Sequence, residues 1–171
     1  MYLCPCSPEL SGFEAEIYNQ ENRETKLKQA LFRIKKYFNF IFIDCPPSLG
    51  FLTLNALTAA DSILIPVQTE FFCMEGMPDL FSTLDEVRKY LNPSLKIEGI
   101  ILTMYDERTN LSKQVADELR NSLKGIIYEI IIPRTVKLAE APSFGKSVIS
   151  YDIKSKGAQA YLELATELLK K

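Results

Sequence analysis

Tyr37-Phe-Asn-Phe-Ile-Phe-Ile-Asp44-Cys-Pro-Pro-Ser-Leu-Gly50 is an apolar run that ends abruptly in a carboxylate and a proline turn. Residues 40–43 show no polar alternation, the pattern of a central strand in a parallel sheet with both faces covered. Asp44 then falls at the strand's carboxyl end, where open α/β sheets bind ligands, and Pro46 and Pro47 stop the strand and fix the loop. A carboxylate there is suited to hold a hydrated Mg²⁺. Asp shortly before Pro is equally ordinary turn chemistry, and on this run alone the two readings stand level.

On either side the pattern alternates strand and helix without a repeat, a low-complexity tract or a linker, so residues 1–171 read as a single domain. Strands are expected at 2–4, 40–44, 62–67, 97–104 and 126–132. Helices are expected at 9–18, at 23–36 (with Leu27, Leu31 and Ile34 at helical spacing), and at 52–60, 78–91, 111–123 and 156–169. Pro78 suits the first turn of its helix. This series builds right-handed parallel βαβ units in a doubly wound, mostly parallel α/β sheet. The loops 44–50, 68–76, 105–110 and 133–145 then share its carboxyl edge, as they do in any such sheet, used or not.

Composition narrows the chemistry. A content of 47% hydrophobic and 25% charged residues fits a soluble globular domain. No stretch reaches the roughly 18 apolar residues of a membrane span, and no signal-peptide pattern opens the chain, so a cytoplasmic protein is expected. The absence of histidine removes imidazole bases, Ser-His and Cys-His pairs and most zinc sites. Cys4 and Cys6, one proline apart, are too close for a zinc knuckle and read as reduced thiols. The net charge of −2 argues against coating nucleic acid through overall charge. From Arg134 onward the balance is nonetheless +3, against −5 for the rest, which leaves a local basic patch open beside the simpler reading of a solvated surface.

Four segments together resemble the ParA/Soj family of partition ATPases, relatives of MinD among P-loop NTPases with a deviant Walker A motif. They are Phe40-Ile-Phe-Ile-Asp-Cys-Pro-Pro-Ser-Leu-Gly50, Asn55-Ala-Leu-Thr-Ala-Ala-Asp-Ser-Ile-Leu-Ile-Pro-Val-Gln68, Leu102-Thr-Met-Tyr-Asp-Glu-Arg-Thr-Asn-Leu111 and Ile132-Pro-Arg-Thr-Val-Lys-Leu-Ala-Glu-Ala-Pro-Ser-Phe-Gly-Lys146. The resemblance implies an ATP-dependent homodimer that binds DNA nonspecifically, associates with the nucleoid and is stimulated by a ParB-type partner during chromosome or plasmid segregation. It makes Asp44 the Walker B carboxylate, holding Mg²⁺ through water, and Pro46, Pro47 and Gly50 the frame of switch II. Met104 would pack on the purine, although a strand-end core methionine is as good a reading. Pro133 and Arg134 would offer backbone contacts to the adenine edge. Arg108 and Lys137, with Lys146 a weaker addition, would neutralise DNA phosphates, with ordinary solvated charges as the alternative. Thr135 and Lys137 stand where asparagine and arginine are common in the family, so the charge at 137 is kept but the planar fork is lost.

The family's phosphate-binding Walker A loop and its first strand find no counterpart in these 171 residues. A P-loop needs G-x-x-x-x-G-K-[ST], whose successive N–H groups cradle phosphate. The nearest match, Gly145-Lys146-Ser147, has Glu140 in place of the first glycine and Pro142 in place of a cradle donor. The expectation is therefore the C-terminal two-thirds of a ParA-type ATPase domain, truncated at its N-terminus, lacking the first strands and unable to bind or turn over ATP alone. The alternative is a non-catalytic module that binds DNA or a partner and modulates full-length dimers.

Overall fold

The computed structural model describes residues 1–7 and 9–170. It is an α/β structure with a parallel sheet, and the chain divides into two compact units, Met1–Ser62 with Ser82–Lys96 and Ile63–Phe81 with Ile97–Lys171.

The first unit carries α1 (Leu10–Ile17), α2 (Lys26–Phe32) and α3 (Phe51–Ala59), with 3₁₀ turns at Arg23–Thr25 and Lys35–Tyr37. The single helix expected over 23–36 is thus broken into pieces. Asn22 enters with φ 55°, and α2 buries no residue, so nothing holds the segment to one long helix. Two buried asparagines fasten the unit instead. Asn55 accepts from the Leu27 N–H at 3.2 Å and donates to the Arg23 and Phe51 carbonyls at 2.9 and 3.1 Å. Asn92 donates to the Leu57 and Ala60 carbonyls at 2.9 and 2.8 Å, satisfying acceptors that the end of α3 leaves open.

The run at 40–44 departs from expectation. It forms no ladder, the N–H groups of 39–44 donate to no backbone carbonyl among the described residues, and Phe42 is 74% exposed. Phe40 and Phe42 lie stacked with centroids 6.2 Å apart, the same-face relation of alternate residues in an extended chain. An apolar run becomes a central strand only when neighbours pair with both its edges, and none of the described residues does so. The expected strand at 2–4 likewise forms no ladder, with Tyr2 and Leu3 exposed.

The second unit is built on β1 (Ser62–Gln68) and β2 (Lys96–Thr103) and continues through α5 (Asn110–Ser122), α6 (Val136–Glu140), α7 (Val148–Tyr151) and α8 (Lys156–Leu168); the crossover helix α4 (Cys73–Tyr90) belongs to it as far as Phe81 and to the first unit from Ser82. Helix α4 begins five residues before the expected start, so Pro78 lies inside it. At this sixth helical position proline keeps a helical φ but gives up the N–H bond to the Met74 carbonyl and crowds that group with its ring. Residues 126–133 run parallel beside β2, bridged at Ile100 with Ile127 and at Tyr105 with Pro133, but not as the continuous strand expected at 126–132. The Glu167 carboxylate accepts the Glu129 and Ile130 N–H groups at 2.9 and 3.2 Å, taking the place of a ladder partner. Tyr128, 0% exposed, anchors the core with Ile101, Ile132, Ala160 and Leu164. Its ring lies against the bare Cα face of Gly99. Thr109, Thr135, Ser147 and Ser155 accept from the first turns of α5, α6, α7 and α8, which sets where each begins.

Candidate functional site

In the first unit, Asp44 follows the open run and is exposed. Pro46 and Pro47 are exposed beyond it, and the Ser48 N–H returns to the Pro46 carbonyl at 2.8 Å to form a tight turn. Gly50 is the N-cap of α3, its extended backbone (φ −79°, ψ −174°) turning the loop into the helix. Among the described residues no three of His, Cys, Asp or Glu gather into a metal cage. A cation at Asp44 therefore needs water and phosphate oxygens for its remaining ligands, which is how Mg²⁺ is ordinarily held, so one exposed carboxylate fits that role.

In the second unit, the register of 126–133 along β2 brings two loops together. Tyr105 donates its N–H to the Ile132 carbonyl at 3.2 Å and accepts from the Arg134 N–H at 2.8 Å, so Met104, Pro133 and Arg134 converge at one end of the sheet. Met104 is 43% exposed and has φ 54°, a left-handed conformation uncommon for a non-glycine residue. That exposure separates it from a strand-end core methionine. Pro133 has no N–H and the Arg134 N–H is already committed to Tyr105, which leaves these two residues only their carbonyl oxygens as backbone groups to offer.

Arg108 lies on the Tyr105 loop and is bound to Asp106 rather than free. Its Nε and Nη2 donate to the two carboxylate oxygens at 2.9 and 2.7 Å, and its backbone N–H donates to Oδ1 at 3.1 Å. These bonds, with the charges of Arg108 and Arg134 behind them, hold the Asp106 carboxyl far below the usual carboxylate range and raise Arg108. Lys137, on α6, is exposed and pairs with Glu140 at 3.2 Å, which raises the lysine. The Tyr151 hydroxyl donates to the same Glu140 oxygen at 3.1 Å, and the Lys137 ammonium sits 5.3 Å from the Tyr151 ring centroid. Lys146 is exposed beyond the left-handed Gly145. Asp106 and Glu140 hold Arg108 and Lys137, pairings outside the expected site residues. The Asp-x-Arg turn and the i,i+3 spacing of Lys137 and Glu140 were the available signals.

The AAA domain family matches residues 1–97. The chain is 52% identical over 171 residues to the chromosome partitioning protein ParA of Myxococcus xanthus, covering 100% of this chain and 60% of that protein. It is 49% identical over 166 residues to the sporulation initiation inhibitor protein Soj of Bacillus subtilis, covering 97% of this chain and 66% of that protein. Among solved structures it resembles the cobyrinic acid a,c-diamide synthase of Mycobacterium smegmatis with bound ADP and magnesium (TM-score 0.81, 37% identity, 97% of this chain and 61% of that one). It also resembles the cell division ATPase MinD of Pyrococcus furiosus (TM-score 0.70, 25% identity, 86% and 58%). The fold is thus that of the P-loop NTPases of the ParA/MinD type. The chain belongs to the ParA/Soj family of partition ATPases and spans about 60% of the length of the M. xanthus relative.

Proposed function

We propose that this chain carries the Walker B, switch II and base-side parts of a ParA/Soj-type ATPase that partitions a chromosome or plasmid. In this reading the protein binds DNA without sequence preference, weakly through the surface of one chain and more tightly as an ATP-dependent dimer at the nucleoid, and a ParB-type partner stimulates hydrolysis. Asp44 would hold Mg²⁺ through water, and Pro46, Pro47 and Gly50 would shape the loop that responds to the γ-phosphate. Bound Mg²⁺ would neutralise charge on the phosphates. Met104 presents an apolar surface to the purine, beside the carbonyl oxygens of Pro133 and Arg134. Among the described residues no helix is long and apolar enough to cross a membrane.

The observation that carries the DNA part is the exposure of Arg108 and Lys137 in one unit of a chain whose C-terminal part is net basic. Point charges on loops and short helices neutralise phosphates without reading base edges. Replacing Arg108 or Lys137 by alanine should weaken binding to scrambled duplexes of every sequence alike, each lowering the salt slope by about one. Unchanged affinity for both would remove the patch.

A second reading rests on one feature of the sequence: these 171 residues contain no G-x-x-x-x-G-K-[ST] loop. In that reading the chain is a DNA- or partner-binding module that modulates full-length dimers and performs no hydrolysis. A ParA/Soj-type Walker A segment encoded in frame upstream of Met1 would favour the ATPase, and its absence would favour the module.

A further inference from the structure

Arg108 and Asp106 form an unequal pair. The arginine side chain is 86% exposed and the aspartate's only 17%, so the carboxylate is the fixed member. Its loop is tied down as well: the Thr109 N–H and hydroxyl both donate to the Asp106 carbonyl, at 3.1 and 3.2 Å, and Thr109 in turn caps α5. Against this anchor the guanidinium lies side-on, spending its Nε–H and one Nη2–H on the carboxylate. Three donors remain, two on Nη1 and one on Nη2, and they form the end-on fork that matches a phosphate.

We propose that Asp106 is a positioning residue for phosphate recognition, holding Arg108 by one edge so that the opposite edge meets a DNA backbone phosphate already formed. The proposal rests on the DNA-binding reading of Arg108 above. Two effects oppose each other. The carboxylate cancels the arginine's charge and so weakens long-range attraction, but it also removes the ordering cost that a free arginine would bear on forming two parallel bonds. Arg134, whose charge also bears on Asp106, adds a second positive charge, so that Arg108 and Arg134 balance Asp106 and the exposed Glu107. At about 0.15 M ionic strength the screening length is about 8 Å, which blunts the long-range effect and leaves the orientation at contact untouched. Orientation therefore dominates under those conditions.

The test is equilibrium binding of the full 171-residue chain to a short scrambled duplex at that ionic strength. Asp106→Ala removes a negative charge, so simple electrostatics requires tighter binding. Positioning instead requires binding weaker by roughly three- to tenfold, the scale of one ordinary hydrogen bond's net contribution. Asp106→Asn, which keeps an acceptor for the Arg108 backbone N–H and hence the turn, should weaken binding in the same direction with unchanged circular dichroism. In an Arg108→Lys background, where no fork exists to be held, Asp106→Ala should cease to weaken binding and should tighten it slightly. Tighter or unchanged binding by both Asp106 variants in the parent, while Arg108→Ala weakens it, would overturn the positioning role and leave the DNA reading standing. No effect of Arg108→Ala alone would overturn this proposal, and no effect of either Arg108→Ala or Lys137→Ala would refute the DNA reading with it.

Discussion

Placing a single methyl group at Gly99 should cost this protein about 3 kcal/mol of stability, the upper end of the usual overpacking range of about 1–3 kcal/mol. Gly99 is buried on β2, and a Cβ built there falls on the Cε2 atom of Tyr128, with Cδ2 at 2.8 Å and the Ile126 carbonyl oxygen at 3.1 Å. The ring has no way out. It is fully buried against Ile101, Ile132, Ala160 and Leu164, and the Tyr128 N–H is bonded to the Ile100 carbonyl at 2.9 Å, so moving the ring disturbs either the core or the strand register. That register also sets the Tyr105 and Pro133 bridge, which gathers Met104, Pro133 and Arg134. Urea unfolding of Gly99→Ala should show the loss directly, and the melting temperature should fall by roughly 6–12 °C. In a Tyr128→Leu background, where the ring is gone, the same substitution should cost less than about 1 kcal/mol, giving a coupling of about 2 kcal/mol. Tolerance of Gly99→Ala to within about 0.5 kcal/mol, or simple additivity of the two changes, would refute the packing argument.

Asn92→Ala should lower stability by about 2 kcal/mol, because it removes a buried hydrogen bond to the Leu57 carbonyl and a partly buried one to the Ala60 carbonyl; an unmoved urea midpoint would contradict this. Phe40→Glu with Phe42→Glu should shift sedimentation toward monomer and leave helix content unchanged, since both rings are exposed on an unpaired run; sedimentation identical to the parent's would mean that the run drives no association.

The paired strands and the capped helices of the second unit could be read from the sequence because their signals are local. β1 and β2 are short apolar runs bounded by polar residues, and α5 and α8 carry a Thr or Ser cap ahead of a periodic apolar face. Features that depend on a distant partner could not be read in this way. The pattern at 40–44 calls for a central strand, but pattern cannot supply the neighbour that makes it one. The interruption of 126–133 depends on Glu167, 37 or 38 residues further along the chain. The same limit applies to the site. The motifs single out Asp44, Met104, Arg108, Pro133, Arg134 and Lys137 as candidates, whereas the pairing of Arg108 with Asp106 and of Lys137 with Glu140 is plain only in the side-chain geometry.

In the function proposed above, Asp44 and the open apolar run before it form one side of a nucleotide site, and these 171 residues contain no G-x-x-x-x-G-K-[ST] loop to cradle its phosphates. Calorimetric titration of the 171-residue chain with Mg-ATP tests it most directly. The account predicts no binding tighter than about 1 mM by the chain alone. It also predicts that adding a separately expressed ParA/Soj-type Walker A segment produces binding that Asp44→Ala abolishes. Micromolar Mg-ATP binding by the chain alone, indifferent to Asp44→Ala, would contradict it.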